Sequence, residues 1–239
     1  MNPSSPAAYQ EALSFWNTAF SLSEDAKARY EKAYAARQDG INLARSQTLA
    51  RMIADELAHQ QKVLAYGCGE GWASICLTRA GCPDVTNVDL SANAVARSEY
   101  LRVLYGVEKQ MHPMCVDIAW LSKAPENTYD GIVCSNVLDV IPTETAQDIL
   151  FHFHRIARPG ARIIISLNYY MEPRDNPEKH IVIQNGNQVF LDGVLRMVTH
   201  TDESWQEMLE KHFTVKKLNH YAWDGEETPR RRMFILEKA

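Results

Sequence analysis

The sequence predicts an α/β fold: a doubly wound, mostly parallel sheet of seven strands with an antiparallel last strand. A helical extension precedes it, and an insertion follows the fifth strand. Three observations carry that prediction. Short apolar runs alternate with helical patterns from Lys62 to Leu167. The first run, Val63-Leu64-Ala65-Tyr66, breaks into Gly67, Gly69 and Gly71 and leads directly into a helical pattern. After Asn168 the alternation stops, and two last apolar runs, near 213–221 and 232–236, read as a hairpin-like pair. A chain of 239 residues suits one sizeable domain with an extension.

In chain order, residues 7–38 read as helix with one break. Tyr9, Leu13, Trp16 and Phe20 lie at helical spacing, and Ser23 can cap a second piece carrying Ala26, Tyr30, Ala33 and Tyr34. Gly40 is a stop signal. Ile41 to Gln60 reads as one amphipathic helix, with Ile41, Leu49, Met52, Ile53 and Leu57 on a face. Strands follow at 63–66, 85–89, 112–116, 130–134 and 162–167, with helices at 72–80, 91–105 and 143–157 between them. Apolar strands alternating with helices imply a parallel sheet covered on both faces. Residues 181–190 are a hairpin candidate turning at Asn185-Gly186, and Thr201 can cap a helix to Lys211. The expected organisation is a helical extension or lid over residues 1–40 and a domain over 41–239, with the insertion near 169–200.

Composition narrows the function. Hydrophobic content of 46% and charge of 23% belong to a globular protein. No apolar run approaches the roughly 20 residues of a membrane span, and no signal-peptide pattern opens the chain. A net charge of −5 speaks against a nucleic-acid partner. The five cysteines have no metal-like spacing and read as buried thiols in a reducing cytoplasm; no metal site is expected.

The glycine turn is the centre of the functional reading. A strand that turns sharply into a helix needs residues without Cβ clashes, and it gathers bare N–H groups at a helix N-terminus. Asp89 ends the second strand, and Asp117 follows the third. In an open α/β sheet, strand C-termini line one crevice, so these carboxylates are placed to meet a nucleotide-like ligand. The competing readings are a helix-capping carboxylate for Asp89 and a solvated turn for Asp117. A dinucleotide fold wants G-x-G-x-x-G; here Gly71 comes one place early and Trp72 takes the last position. No Gly-Lys-Ser/Thr follows, so a Walker-type loop is absent.

From Ile41 to Ala239 the chain resembles a class I S-adenosylmethionine-dependent methyltransferase, a Rossmann-like family. The resemblance rests on five segments in order: Val63 to Gly71, Val88-Asp89-Leu90-Ser91, Cys115-Val116-Asp117-Ile118, Tyr129 to Pro142, and Arg155 to Ala161. It implies that Tyr66, Gly67, Cys68, Gly69 and Gly71 approach the cofactor backbone to backbone. It implies that Asp89 and Leu90 meet the ribose, Asp117 and Ile118 the adenine, and Asn136 and Val137 the sulfonium end. Where the family carries an acidic residue two places before the first glycine, this chain has Ala65. Glu70 or an N-terminal helix is a possible substitute at the methionine end.

Methyl transfer from a sulfonium is an in-line displacement with an activated, neutral leaving group. The protein has to hold the nucleophile about 3 to 3.5 Å from the methyl carbon. The resemblance therefore implies transfer to an oxygen or nitrogen of a small-molecule acceptor, with S-adenosylhomocysteine as product. Arg196 is placed to clamp a carboxylate or phosphate, or to pair with Asp192 on the surface. Trp16, Tyr34, Asn168 and Tyr170 complete the expected acceptor site. His200 is the expected base because its unperturbed pKa lies near neutrality, and Tyr169 stands beside it as a second catalytic candidate. Ser135-Asn136-Val137-Leu138 lacks the loop of the DNA amino-methyltransferases, so no DNA substrate is expected. A cofactor-binding but silent member acting through protein contacts is the alternative, as is an RNA or protein methyltransferase. Arg230-Arg231-Arg232 reads as a solvated hairpin turn.

Overall fold

The structure, a computed structural model, describes residues 6–117 and 119–239, without the side chains of residues 6–10 and 12. Strand β1 (Val63–Tyr66) sits mid-sheet, with β2 (Val85–Asp89) and β3 (Met111–Cys115) on one side. On the other lie β4 (Tyr129–Ser135), β5 (Ala157–Leu167), β10 (Arg231–Glu237) and β9 (Thr214–Tyr221). The order is β3-β2-β1-β4-β5-β10-β9, and only β10 runs against its neighbours. The predicted seven-stranded sheet is therefore the one found. The chain leaves β1 toward β2 and β3 and then crosses back to β4. That reversal is a topological switch point, where an open sheet leaves a crevice at its strand C-termini.

Alternation within β1 divides the core. Leu64 and Tyr66 face α7 (Thr143–Ile156) in a cluster with Ile132, Phe153 and Trp205. Val63 and Ala65 face α3 (Gln47–Leu57) and α4 (Trp72–Arg79) with Leu49, Ile53 and Leu77. A two-residue period sends neighbours to opposite faces. Ala65, 2% exposed, packs in this second apolar cluster. Above it lie α1 (Pro6–Ala19) and α2 (Glu24–Ala36), the latter packed on α5 (Ala92–Leu104) through Ala26, Tyr30 and Leu101.

Ser23 caps α2, its hydroxyl accepting from Ala26 N at 3.2 Å. The helix expected over residues 41–60 is split. Gly40, at φ 78°, opens a 3-10 turn over Ile41–Leu43, and Ser46 caps α3 by accepting from Leu49 N at 3.2 Å. Ile41 belongs instead to a small cluster with Ala44, Cys76 and Trp72. A capping serine inside an apolar period was the overlooked stop. The hairpin at Asn185-Gly186 forms between β6 (Ile181–Gln184) and β7 (Gln188–Leu191), with φ of 50° and 78° at the turn. A third strand, β8 (Val194–Val198), pairs with β7 through Asp192-Gly193 at φ 52° and 79°. That Asp-Gly pair was a legible hairpin signal. Two helices complete the chain: α6 (Ala119–Lys123) and α8 (Asp202–Glu210), capped by Thr201.

Candidate functional site

Parallel register aligns three strand ends. Tyr66 lies opposite Val88 on one side and Cys134 on the other, so Gly67, Asp89 and Asn136 emerge together. Gly67, at φ 61°, has no room for a side chain: a Cβ there would overlap Val137 Cγ2. The two elements the resemblance assigns to the methionine and sulfonium ends are thus in van der Waals contact. Gly69, at φ 54°, faces Phe20, whose ring would stand 3.1 Å from a Cβ at that position. Gly71, at φ 87°, starts α4, and a Cβ there would overlap Ser98 of α5. Its role is helix packing, and it does not line the cavity described below.

Asp89 closes the turn. One carboxylate oxygen accepts from Gly69 N at 2.8 Å and the other from Ser91 N at 2.8 Å. Burial raises its pKa, opposed by the backbone donors of Ser91, Gly69 and Leu90. Desolvation penalises the charge more than these amides relieve it. Cys68 lines the same wall, with its thiol pushed well up by burial and by Asp89. It stays protonated and is no nucleophile.

Glu70 ties the turn to the N-terminal helices. Its Oε2 accepts from Tyr30 OH at 2.6 Å and from Arg29 and Arg97 at 3.3 Å each. Burial, then the charge of Glu70, pushes the Tyr30 phenol up, so it remains a donor. A second clasp joins α1 to α5: Asn17 Oδ1 accepts from Ser91 Oγ at 2.8 Å, and Arg97 donates to the Ala19 and Ser21 carbonyls. Tyr30→Phe is expected to cost about 1.5 to 3 kcal/mol, since a hydrogen bond to a charged group is lost. Denaturant unfolding measures this; an unchanged midpoint would remove Glu70 as an anchor of α2.

Beneath α1 and α2 lies a cavity of about 1140 Å³. It collects Tyr66, Gly67, Cys68, Gly69, Asp89, Leu90, Asn136 and Val137 on the sheet side. Trp16, Arg196, Arg45 and Trp223 line other parts of it. Arg196 does not pair with Asp192, which takes His180 Nδ1 at 3.0 Å. Its guanidinium lies over Phe15 at 3.9 Å and near Trp16 at 5.6 Å. Arg45 lies 5.0 Å from the Trp223 ring, and Arg231 lies 3.2 Å from the same ring. Asn136, at φ 54°, is held by Tyr221 OH donating to Oδ1 at 3.4 Å and by its own N–H to Ser166 O at 2.8 Å.

Other predicted site residues fall outside the cavity. Asp117 is exposed and accepts from Trp120 N at 3.1 Å, opening α6; its neighbour Val116, not Asp117 itself, lines the cavity. Ile118 and the side chain of Tyr9 lie outside the described residues. Tyr34 packs edge-on against Tyr105, ring centres 5.0 Å apart. Asn168 is spent on structure, its backbone N–H donating to Asp139 Oδ2 at 2.6 Å and its Oδ1 accepting from Arg231 at 2.5 Å. Tyr169 lies under Arg230 and Arg231 at 4.6 and 5.5 Å, and Tyr170 is exposed. His200 is also displaced. Nε2 lies 3.0 Å from Thr143 Oγ1 and Nδ1 3.3 Å from Ser204 Oγ, and burial, then Arg232, lowers its pKa. Both ring nitrogens serve packing of α7 against α8, so the base assignment is corrected. The arginine run is solvated only at Arg230: Arg231 and Arg232 are 4% and 1% exposed. Nor are all the cysteines buried, since Cys115 is exposed.

Arg45, Asn42, Phe20 and Trp223 are the cavity residues the sequence reading passed over. Asn42 and Arg45 sit in the turn it absorbed into one helix. Trp223 reaches the site only because β10 lies beside β5, which no local pattern shows.

Comparison with known proteins settles the family. A family model described as a methyltransferase domain matches residues 26–218. The chain belongs to the methyltransferase domain family. The class I resemblance and the sheet order agree with that membership. The methyltransferase is 30% identical over 109 residues to a ribosomal protein L11 methyltransferase of Ralstonia pickettii, covering 44% of this chain and 32% of that protein. The match thus spans about a third of the curated relative. Its fold is similar to a 1,6-didemethyltoxoflavin-N1-methyltransferase of Burkholderia thailandensis, solved with that substrate and S-adenosylhomocysteine. There the TM-score is 0.63 at 17% identity, over 90% of this chain and 89% of the other. An S-adenosylmethionine-dependent methyltransferase of Mesorhizobium loti gives 0.62 at 16% identity, over 83% and 100%. No helix among the described residues is long and apolar enough to cross a membrane.

Proposed function

We propose that the methyltransferase moves the methyl group of S-adenosylmethionine to an oxygen or nitrogen of a small-molecule acceptor, releasing S-adenosylhomocysteine. The observation that carries this reading is one cavity shared by the glycine turn, Asp89 and the loop after β4, covered by α1 and α2. The residues present fit the cofactor. At Gly67 and Gly69 a Cβ would press on Val137 and Phe20, so bare backbone lines the cavity there. Each Asp89 oxygen has a lone pair left for a ribose hydroxyl after accepting one amide. Asn42 Oδ1 is buried without a partner among the described residues, while its side-chain NH2 donates to Ala33 O at 2.8 Å. That orphan acceptor suits the ammonium of the methionine end, for which Ala65 supplies no carboxylate. Arg45, without an ion-pair partner among the described residues, suits its carboxylate. The described part of residues 1–40, α1 and α2, acts as a lid on the 41–239 domain.

When bound, the cofactor supplies an electrophilic methyl group on a sulfonium that leaves as a neutral thioether. The chain's own work is to align the acceptor, hold Asn136 and Val137 against the reacting end, and exclude water under the lid. No histidine lines the cavity among the described residues; an acceptor nitrogen would attack with its lone pair, or an acceptor oxygen as its anion, the proton passing to solvent. A cytoplasmic setting suits five free thiols. The second reading, a silent cofactor binder, draws its support from Ala65 alone.

Incubation of the protein with methyl-labelled S-adenosylmethionine and a cell extract split into metabolites, RNA and protein tests this. Label is expected in the metabolite fraction. Label confined to RNA or protein would overturn the acceptor class. No label in any fraction, with S-adenosylhomocysteine still bound, would favour the silent binder.

A further inference from the structure

We infer that the acceptor carries an oxyanion, a carboxylate or a phosphate, and that Arg196 grips it. This rests on the methyl-transfer reading above and names the substrate class at the same site. The chain as a whole is acidic, at −5, yet its cavity is lined by Arg29, Arg45, Arg97 and Arg196 against Glu70 and Asp89. Glu70 is taken by Arg29 and Arg97. Asp89 is taken by backbone amides. Arg45 and Arg196 are left with aromatic faces and no carboxylate among the described residues.

S-adenosylmethionine brings one carboxylate, and its sulfonium and ammonium leave it net positive. One arginine therefore stays unmatched after it binds, in a cavity made more positive. Placement decides which. Arg45 precedes α3 in the segment whose Ile41 and Ala44 pack near Trp72, beside the glycine turn. Arg196 lies on β8, and two residues on, Val198 N donates to Asp139 O at 2.7 Å. That bond ties β8 to the loop that begins at Asn136, so Arg196 belongs to the acceptor end.

The local chemistry fits an anion. A guanidinium held over the Phe15 ring keeps its position through the π face and leaves its in-plane N–H fork free for a bidentate partner. Trp16 Nε1, next to it, is buried with no acceptor among the described residues. Two donor groups without acceptors among the described residues, in a cavity whose lining also includes Val140 and Ile141, define a site for an apolar body with an anionic head.

Calorimetry on the protein saturated with S-adenosylhomocysteine tests this, with matched probes. Indole-3-acetate is compared with indole-3-acetamide, and benzyl phosphate with benzyl alcohol. At least one anion is expected to bind about tenfold tighter than its neutral partner; which pair shows it separates carboxylate from phosphate. In Arg196→Gln that ratio is expected to fall to near unity, and in Arg196→Lys to an intermediate value. Equal affinity within both pairs in the wild type, or no binding by any probe at millimolar concentration, overturns the inference. So does a preference that survives Arg196→Gln. Failure of the wild type to bind S-adenosylhomocysteine would instead sink the underlying methyl-transfer reading. The product titration alone reads that result.

Discussion

Asp89→Ala is expected to weaken S-adenosylhomocysteine binding by about a hundredfold, the loss of charge-assisted hydrogen bonds to two hydroxyls. The side chain does two jobs. It accepts from Gly69 and Ser91, which shapes the turn, and it presents its remaining lone pairs to the cavity. Asp89→Asn keeps the size of the side chain and one acceptor oxygen, but it removes the charge and sets an NH2 against one of the two backbone N–H groups. Calorimetry on both variants reads the effect; near-wild-type affinity in Asp89→Ala would end the ribose assignment.

The raised pKa of Asp89 gives a pH signature. As the free protein is acidified, the carboxylate protonates at a higher pH than an ordinary aspartate, and binding that needs its charge declines there. Stability moves the opposite way. The folded state holds this proton more tightly than the unfolded chain. The Asp89 contribution is therefore full below the unfolded value of about 3.9 and is lost as pH rises through the folded one. Affinity in Asp89→Asn should lack the acid transition. Its persistence there would place the titrating group elsewhere.

Arg232→Met is expected to destabilise the fold by about 3 to 5 kcal/mol, one of the largest effects of any single change. Arg232, 1% exposed, donates to the carbonyls of Asn168 at 2.8 Å and His200 at 2.7 Å, and pairs with Asp202 at 3.2 Å. Its removal takes the guanidinium's donors from those part-buried acceptors, at the junction of β5, β10 and α8. In a domain of this size each kcal/mol moves Tm by about 2 to 4 °C, so a fall of roughly 10 °C is expected by calorimetry. Arg230→Ala is the matched control. That neighbour is exposed and rests on Tyr169, so its loss should stay within about 0.5 kcal/mol. Equal effects of the two changes would overturn the account of Arg232.

These neighbours show where local reading stops. Three consecutive arginines after Pro229 look like a solvated turn, and for Arg230 that is right. Arg231 and Arg232 already belong to β10, an inner strand between β5 and β9. Their burial depends on strand order, which charge composition does not encode. His200 failed as a base for a related reason. A pKa near neutrality qualifies any histidine, but only the packing of α7 on α8 shows both its nitrogens in use. Asp117 and Asp89 look alike in sequence, each ending a parallel strand. Asp89 sits beside the switch point, whereas Asp117 follows the edge strand β3 and turns to cap α6.

What the sequence determined by itself was the part ruled by local physics. Period and turn chemistry placed the strands, the Ser23 and Thr201 caps and the Asn185-Gly186 hairpin. The spacing of Gly67, Gly69 and Gly71 placed the cradle, because only glycine serves where Val137 and Ser98 press in at positive φ. Tertiary structure alone decided which side chains close the cavity. Phe20, Asn42, Arg45, Arg196 and Trp223 come from four separate segments and meet only when α1, β8 and the β9–β10 loop converge over the sheet. Contact between segments so distant in sequence follows from strand order and crossover geometry, to which no single stretch of residues testifies.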